Sequence, residues 1–108
     1  MRTYLGEFEQ LLLLSLLRAN DEAHGLRIRN DVEERTGRTI SPGAVYTALD
    51  RMERRGLVSS RLGEPTPQRG GKRRRYYRLE STGLALLRES QRALSQMSRG
   101  VRPKLELP

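Results

Sequence analysis

The apolar positions fall into three helical stretches, two short alternating runs and a final helical stretch. Over residues 5–19, which include "LLLLSLL" at 11–17, apolar side chains surround the axis, so this helix needs cover on more than one side. A second helix is expected from Asp21 or Glu22 to Arg35, with Leu26, Ile28 and Val32 as its apolar positions and Gly37 as its C-cap. After the tight connection "TGRT", Ser41 stands as N-cap and Pro42 at the first helical position, where no N–H is needed. That third helix runs to Arg55 before Gly56 stops it. Its inner side is Val45, Ala48, Leu49 and Met52, at i, i+3, i+4 and i+7. "LVSSRL" (57–62) and "RRYYRLE" (74–80) alternate like strands, and the prolines and glycines of 63–72 make a long, loose hairpin tip between them. Alternation turns one of Tyr76 and Tyr77 inward and the other outward, and either choice fits. From Ser81 to about Ser98, Leu84, Leu87 and Leu94, with Leu86, Ala93 and Met97 beside them, form a broad apolar stripe.

Helix, helix, helix, strand, loop, strand, helix is the order of a winged helix-turn-helix. The expected fold is therefore mainly α with a small β-hairpin. Residues 1–80 form the winged domain, 81–100 a C-terminal helix and 101–108 a flexible tail.

Composition narrows what such a fold does. The chain has 108 residues, no cysteine and one histidine, which points to a reducing cytoplasm and leaves no metal-ligand set or acid–base pair for an enzyme. The leucine run is far shorter than the ~20 residues of a membrane span, and acidic residues precede it, against an export signal. "RGGKRRR" lacks the spaced glycine and the Ser/Thr of a phosphate loop. Lys and Arg number 21 against 13 Asp and Glu, a net charge of +8, and residues 63–80 alone carry +4. Such an excess suggests a polyanionic partner, with nucleic acid foremost.

The third helix and the basic hairpin supply a place for it. Opposite the inner side lie Ser41, Gly43, Tyr46, Thr47, Asp50, Arg51 and Arg54, small at the N-terminal end and rich in hydrogen-bonding groups. A helix seated in the major groove reads base edges from that end. The hairpin carries Arg69, Lys72, Arg73, Arg74 and Arg75, with no acid among residues 69–78. Pinned between strands beside a reading helix, it suits phosphates and adds salt-sensitive affinity for any sequence.

"GAVYTALDRMERRGLV" followed by "RRRYYRLESTGLALL" resembles the PadR family of bacterial transcriptional regulators over roughly residues 5–97. The resemblance implies a winged-helix DNA-binding domain, a dimerising C-terminal helix, and repression relieved by a small-molecule effector or other signal. "HGLRI" at 24–28 matches the opening of the family's second helix, with Leu26 where many members carry an aromatic. Glu80 replaces a frequent threonine, which passes the last helix's cap to Ser81. Phase and family pattern agree on Ser41, Tyr46, Thr47 and Arg51 as contacts to double-stranded DNA, and Pro42 and Gly43 are expected to contact it with them. Tyr46 has a second reading, a ring packed on the neighbouring helix, and Arg54 and Arg55 have one as partners of Asp50 or Glu53.

The first and last helices carry more apolar surface than one small domain hides. A homodimer through Leu5, Phe8, Leu12, Leu84, Leu87, Leu94 and Met97 would cover it, unless the last helix simply caps its own domain. No cofactor is expected. A basic RNA-binding or ribosome-associated protein would share the charge but needs neither a dimer nor a base-reading helix. A winged helix that docks on proteins would bind DNA with little salt dependence.

Overall fold

The computed structural model describes residues 4–67, 70 and 72–106. Among the described residues the elements in order are α1 (Glu7–Arg18), β1 (Glu22–His24), α2 (Gly25–Thr36), α3 (Pro42–Arg54), β2 (Val58–Leu62), β3 (Arg75–Leu79), α4 (Ser81–Ser98) and α5 (Arg102–Leu105).

The expected two-stranded hairpin is a three-stranded antiparallel sheet in the order β1-β3-β2, with Tyr77 opposite Ala23 on one side and Ser60 on the other. The second helix accordingly starts at Gly25, not at Asp21 or Glu22. Asn20 and Asp21 adopt positive φ (59° and 74°), a conformation their short side chains tolerate, and they turn the chain out of α1 into β1. The Asp21 carbonyl then accepts the N–H of Leu79 at 2.8 Å, extending the ladder.

Helix ends follow local chemistry elsewhere. Ser41 Oγ accepts the N–H of Ala44 at 3.1 Å, and Pro42 opens α3. Gly37 closes α2 at φ 73°, its N–H bound to the Glu33 carbonyl. The Ser81 cap is not found. Glu80 holds the N-cap position of α4 without a side-chain bond, and the anchoring hydroxyl is that of Thr82, which donates to the Gly56 carbonyl.

The core gathers Leu12, Leu13 and Leu16 of α1, Ile28 and Val32 of α2, Val45, Leu49 and Met52 of α3, the sheet residues Ala23, Val58, Tyr77 and Leu79, and Leu87 of α4. Three of the residues expected at a dimer interface, Leu5, Leu12 and Leu87, are buried in the core of their own chain. Phe8 and Leu84 pack partly against the same core. Leu94 and Met97 remain 59% and 80% exposed. The first half of α4 caps its own domain: Ser90 Oγ accepts the N–H of Leu5, and Gln91 donates to Gln10 at 2.7 Å. Residues 91–97 lie wholly on the surface. Where a tail of little order was expected, residues 102–105 make one helical turn.

Candidate nucleic-acid interface

Val45, Leu49 and Met52 are fully buried, which fixes the roll of α3. Ser41, Pro42, Gly43, Tyr46, Thr47, Asp50, Arg51 and Arg54 are all exposed on the opposite flank, as the helical phase requires.

The connection from α2 to α3 is held by both polar groups of Ile40, a buried residue. Its N–H donates to Glu33 Oε2 at 2.6 Å and its carbonyl accepts Nε of Arg29 at 2.8 Å, while Arg29 and Glu33 pair with each other at 3.4 Å. Sequence reading missed this clamp. Its signal was the opposite charge pair at i, i+4 just before the turn.

Two further links fix α3 to the wing. Tyr77 is the inward tyrosine, and its phenol donates to Asp50 Oδ1 at 2.8 Å. Burial, and next the Asp50 carboxylate, push that phenol far above its ordinary ionisation range, so it stays a donor at any physiological pH. Asp50 therefore belongs to the joint between helix and sheet. Below it, Ser60 Oγ donates to Glu53 at 2.8 Å and accepts Arg75 Nη1 at 3.0 Å.

The outward tyrosine, Tyr76, is half-buried, edge-on to His24 with centroids 5.7 Å apart, and covered by the Arg61 guanidinium at 4.8 Å. Arg61 also grips both oxygens of Glu22 and holds that carboxyl below its usual range. Tyr46 lies against α2: a Cβ on Gly25 would stand 2.5 Å from its ring, so glycine is required there. The rest of Tyr46 is 38% exposed.

That exposed edge lines a recess of about 360 Å³ in which Pro42 and Tyr46 of α3 meet Leu62, Arg73, Arg74 and Arg75 of the wing. The exposed flank of α3 and the wing's base thus border one concavity. Arg69 lies outside the described residues, and Lys72 and Arg73 are exposed.

The cations divide by partner. Arg29, Arg35, Arg38, Arg55 and Arg61 each sit within 4 Å of a carboxylate. Among the described residues, Arg51, Arg54, Lys72 and Arg73 have no such pairing. Arg55 turns to Glu9 of α1, not to Asp50 or Glu53.

A sequence model of the Transcriptional regulator PadR-like family matches residues 13–89. The chain is 38% identical over 85 residues to the transcriptional regulator Rv3488 of Mycobacterium tuberculosis, covering 77% of this chain and 73% of that one. Among solved structures, a PadR family regulator of Eggerthella lenta superposes with a TM-score of 0.71 at 28% identity, covering 94% and 88% of the two chains. One from Clostridium difficile gives 0.70 at 28%, covering 91% and 98%. No helix among the described residues is long and apolar enough to cross a membrane. Family match, relative and fold agree: the chain belongs to the PadR-like transcriptional regulators, which act by binding DNA and are not enzymes.

Proposed function

We propose that this regulator is a cytoplasmic repressor that binds a pseudo-palindromic operator as a homodimer. In this reading α3 enters the major groove, where Ser41, Pro42, Gly43, Tyr46, Thr47 and Arg51 meet base edges and flanking phosphates. The hairpin basics Arg69, Lys72, Arg73, Arg74 and Arg75 hold the backbone. The observation that carries it is the shared recess, in which the first turns of α3 and the arginines of the wing face the same space.

Residues 1–80 serve as the DNA-binding unit and 81–100 as the dimerising helix. Half of α4 is already committed to its own domain, so the partner's contacts fall on Leu94 and Met97. Two copies set their reading helices about 34–36 Å apart, one turn of duplex. A small-molecule effector has room in the groove of about 590 Å³ between α1 and α4.

Footprinting on the DNA flanking its own coding region locates the operator. On that site Arg51→Ala relaxes base preference, whereas Lys72→Ala or Arg73→Ala weakens all sequences and lowers the salt slope by about 1. Equal effects of both kinds of change on specific and random duplex would refute this division of roles.

A further inference from the structure

The groove of about 590 Å³ between α1 and α4 has two kinds of wall. One is aliphatic. Leu14 and Leu17 of α1 line it, 37% and 41% exposed, and face half-buried Leu84 and buried Leu87 of α4. Both pairs are spaced i, i+3, so each helix offers one turn of apolar surface to the same space. The other wall is cationic. Arg88 and Arg92 stand one turn apart on α4, and Arg102 arrives from α5; all three are exposed. No acid lines the groove, and among the described residues none of these arginines is paired with a carboxylate or spends its guanidinium on a hydrogen bond. Like charges at i, i+4 repel, so the cluster is unfavourable until an anion joins it.

The two walls define what fits. A bare inorganic anion would leave the leucines wet, and an uncharged hydrocarbon would leave the arginines unpaired. An apolar body with an anionic head answers both. The planar fork of a guanidinium matches the two oxygens of a carboxylate. None of the lining residues is aromatic, so a ring would find nothing to stack on, and the body is aliphatic. A second copy of the chain could cover the leucines, but its own α4 would bring Arg88 and Arg92 with it.

We propose that this groove binds a free aliphatic carboxylate of the fatty-acid type, its chain along Leu14, Leu17, Leu84 and Leu87 and its head gripped by Arg88, Arg92 and Arg102. The proposal rests on the effector reading above and gives that ligand its chemistry. The groove shares no lining residue with the recess beneath α3, so its occupancy can be measured without DNA.

The test is calorimetric titration of the full chain with decanoate, 1-decanol and cinnamate, each below the concentration at which it self-associates. Decanoate is expected to bind saturably, one per chain, and the other two about ten-fold more weakly or not at all. Arg88→Ala combined with Arg92→Ala should weaken decanoate about ten-fold, the loss of charge-assisted bonds to its head. Leu17→Glu sets a carboxylate among the arginines and should abolish binding. Circular dichroism checks that it is folded; should it not be, the double arginine variant decides alone, since both side chains are exposed. Wild-type affinity in either folded variant overturns the site. Cinnamate or decanol binding as tightly as decanoate overturns the ligand class and leaves an effector groove. Absence of saturable binding by all three overturns this proposal and the effector reading together, while the DNA-binding reading stands. Should decanoate fail to bind and Leu17→Glu turn a sedimenting dimer into a monomer, the occupant is a second copy and the proposal falls.

Discussion

Gly83 and Gly43 each stand in the first turn of a helix, yet the same substitution should move stability in opposite directions. A Cβ added at Gly83 would lie 2.2 Å from the Leu57 carbonyl oxygen and 3.0 Å from Leu79 Cδ1. Carbon and oxygen ordinarily approach to about 3.3 Å, so one group must retreat by about 1 Å. The carbonyl is not free to do so, because it accepts the N–H of Glu80 at 3.0 Å at the entrance to α4. Overpacking of this kind costs about 1–3 kcal/mol, more than the ~1 kcal/mol that alanine returns in helix propensity. Gly83→Ala is therefore expected to lose up to about 2 kcal/mol net, a fall in Tm of up to roughly 15 °C for a domain of this size. At Gly43 an added Cβ meets nothing within 4 Å, so Gly43→Ala should gain about 0.4–1 kcal/mol by restricting the unfolded chain. Thermal unfolding followed by circular dichroism reads both. A Tm for Gly83→Ala equal to or above wild type would refute the packing argument.

Four further outcomes follow from the same contacts. Glu33→Ala leaves the buried N–H of Ile40 without its carboxylate and should cost about 2 kcal/mol, read as a lower denaturant midpoint at unchanged m. Tyr77→Phe should cost about 1 kcal/mol, since exposed Asp50 regains water, and a double-mutant cycle with Asp50→Ala should return a coupling of similar size; zero coupling would disconnect helix and sheet. Glu22 is held below its ordinary value of 4.5 by Arg61, so its contribution is complete above that pH and disappears as acid carries the solution through the lowered value. Arg61→Ala should accordingly lose less stability than wild type on acidification, and parallel acid curves would contradict this. Leu94→Asp combined with Met97→Asp should stay folded and sediment as a monomer where wild type sediments as a dimer, and a wild-type monomer at micromolar concentration would rule out the pairing.

How much of this was legible in the sequence depended on whether the cause was local. Ser41, Pro42 and Gly56 bracket α3 by short-range rules, and an apolar side at i, i+3, i+4 and i+7 fixes its roll, so the exposed flank followed directly. β1 did not, because three residues cannot show alternation and the strand exists by pairing with β3, more than fifty positions away. Its local traces were "ND", a pair that tolerates positive φ, and "HG", a cap followed by the glycine on which Tyr46 lies. The apolar helices show the limit of periodicity: it says which residues share a face, not what covers it. Leu87 shares a face with Leu94, which stays exposed, yet its own chain buries it. Tyr76 and Tyr77 stood undecided for a related reason, since parity along a strand has no sign until the side bearing the helices is known.

A chain of net charge +8 has to fold against its own repulsion, and the distribution of its few acids resolves that conflict. Glu7, Glu9, Asp31 and Glu33 neutralise Arg38, Arg55, Arg35 and Arg29 on the helical scaffold, and Glu22 neutralises Arg61 across the sheet. Asp50 and Glu53, the two acids of α3, are turned to Tyr77 and Ser60 and so leave Arg51 and Arg54 without a competing carboxylate. Cations that hold the scaffold are thus separated from cations that face solvent beside the recess. Because Arg73, Arg74 and Arg75 border the recess that Pro42 and Tyr46 line, a polyanion laid there relieves part of the remaining repulsion at the place where α3 is exposed. Low salt should therefore destabilise the unliganded protein and strengthen its hold on DNA together, two responses with one electrostatic origin.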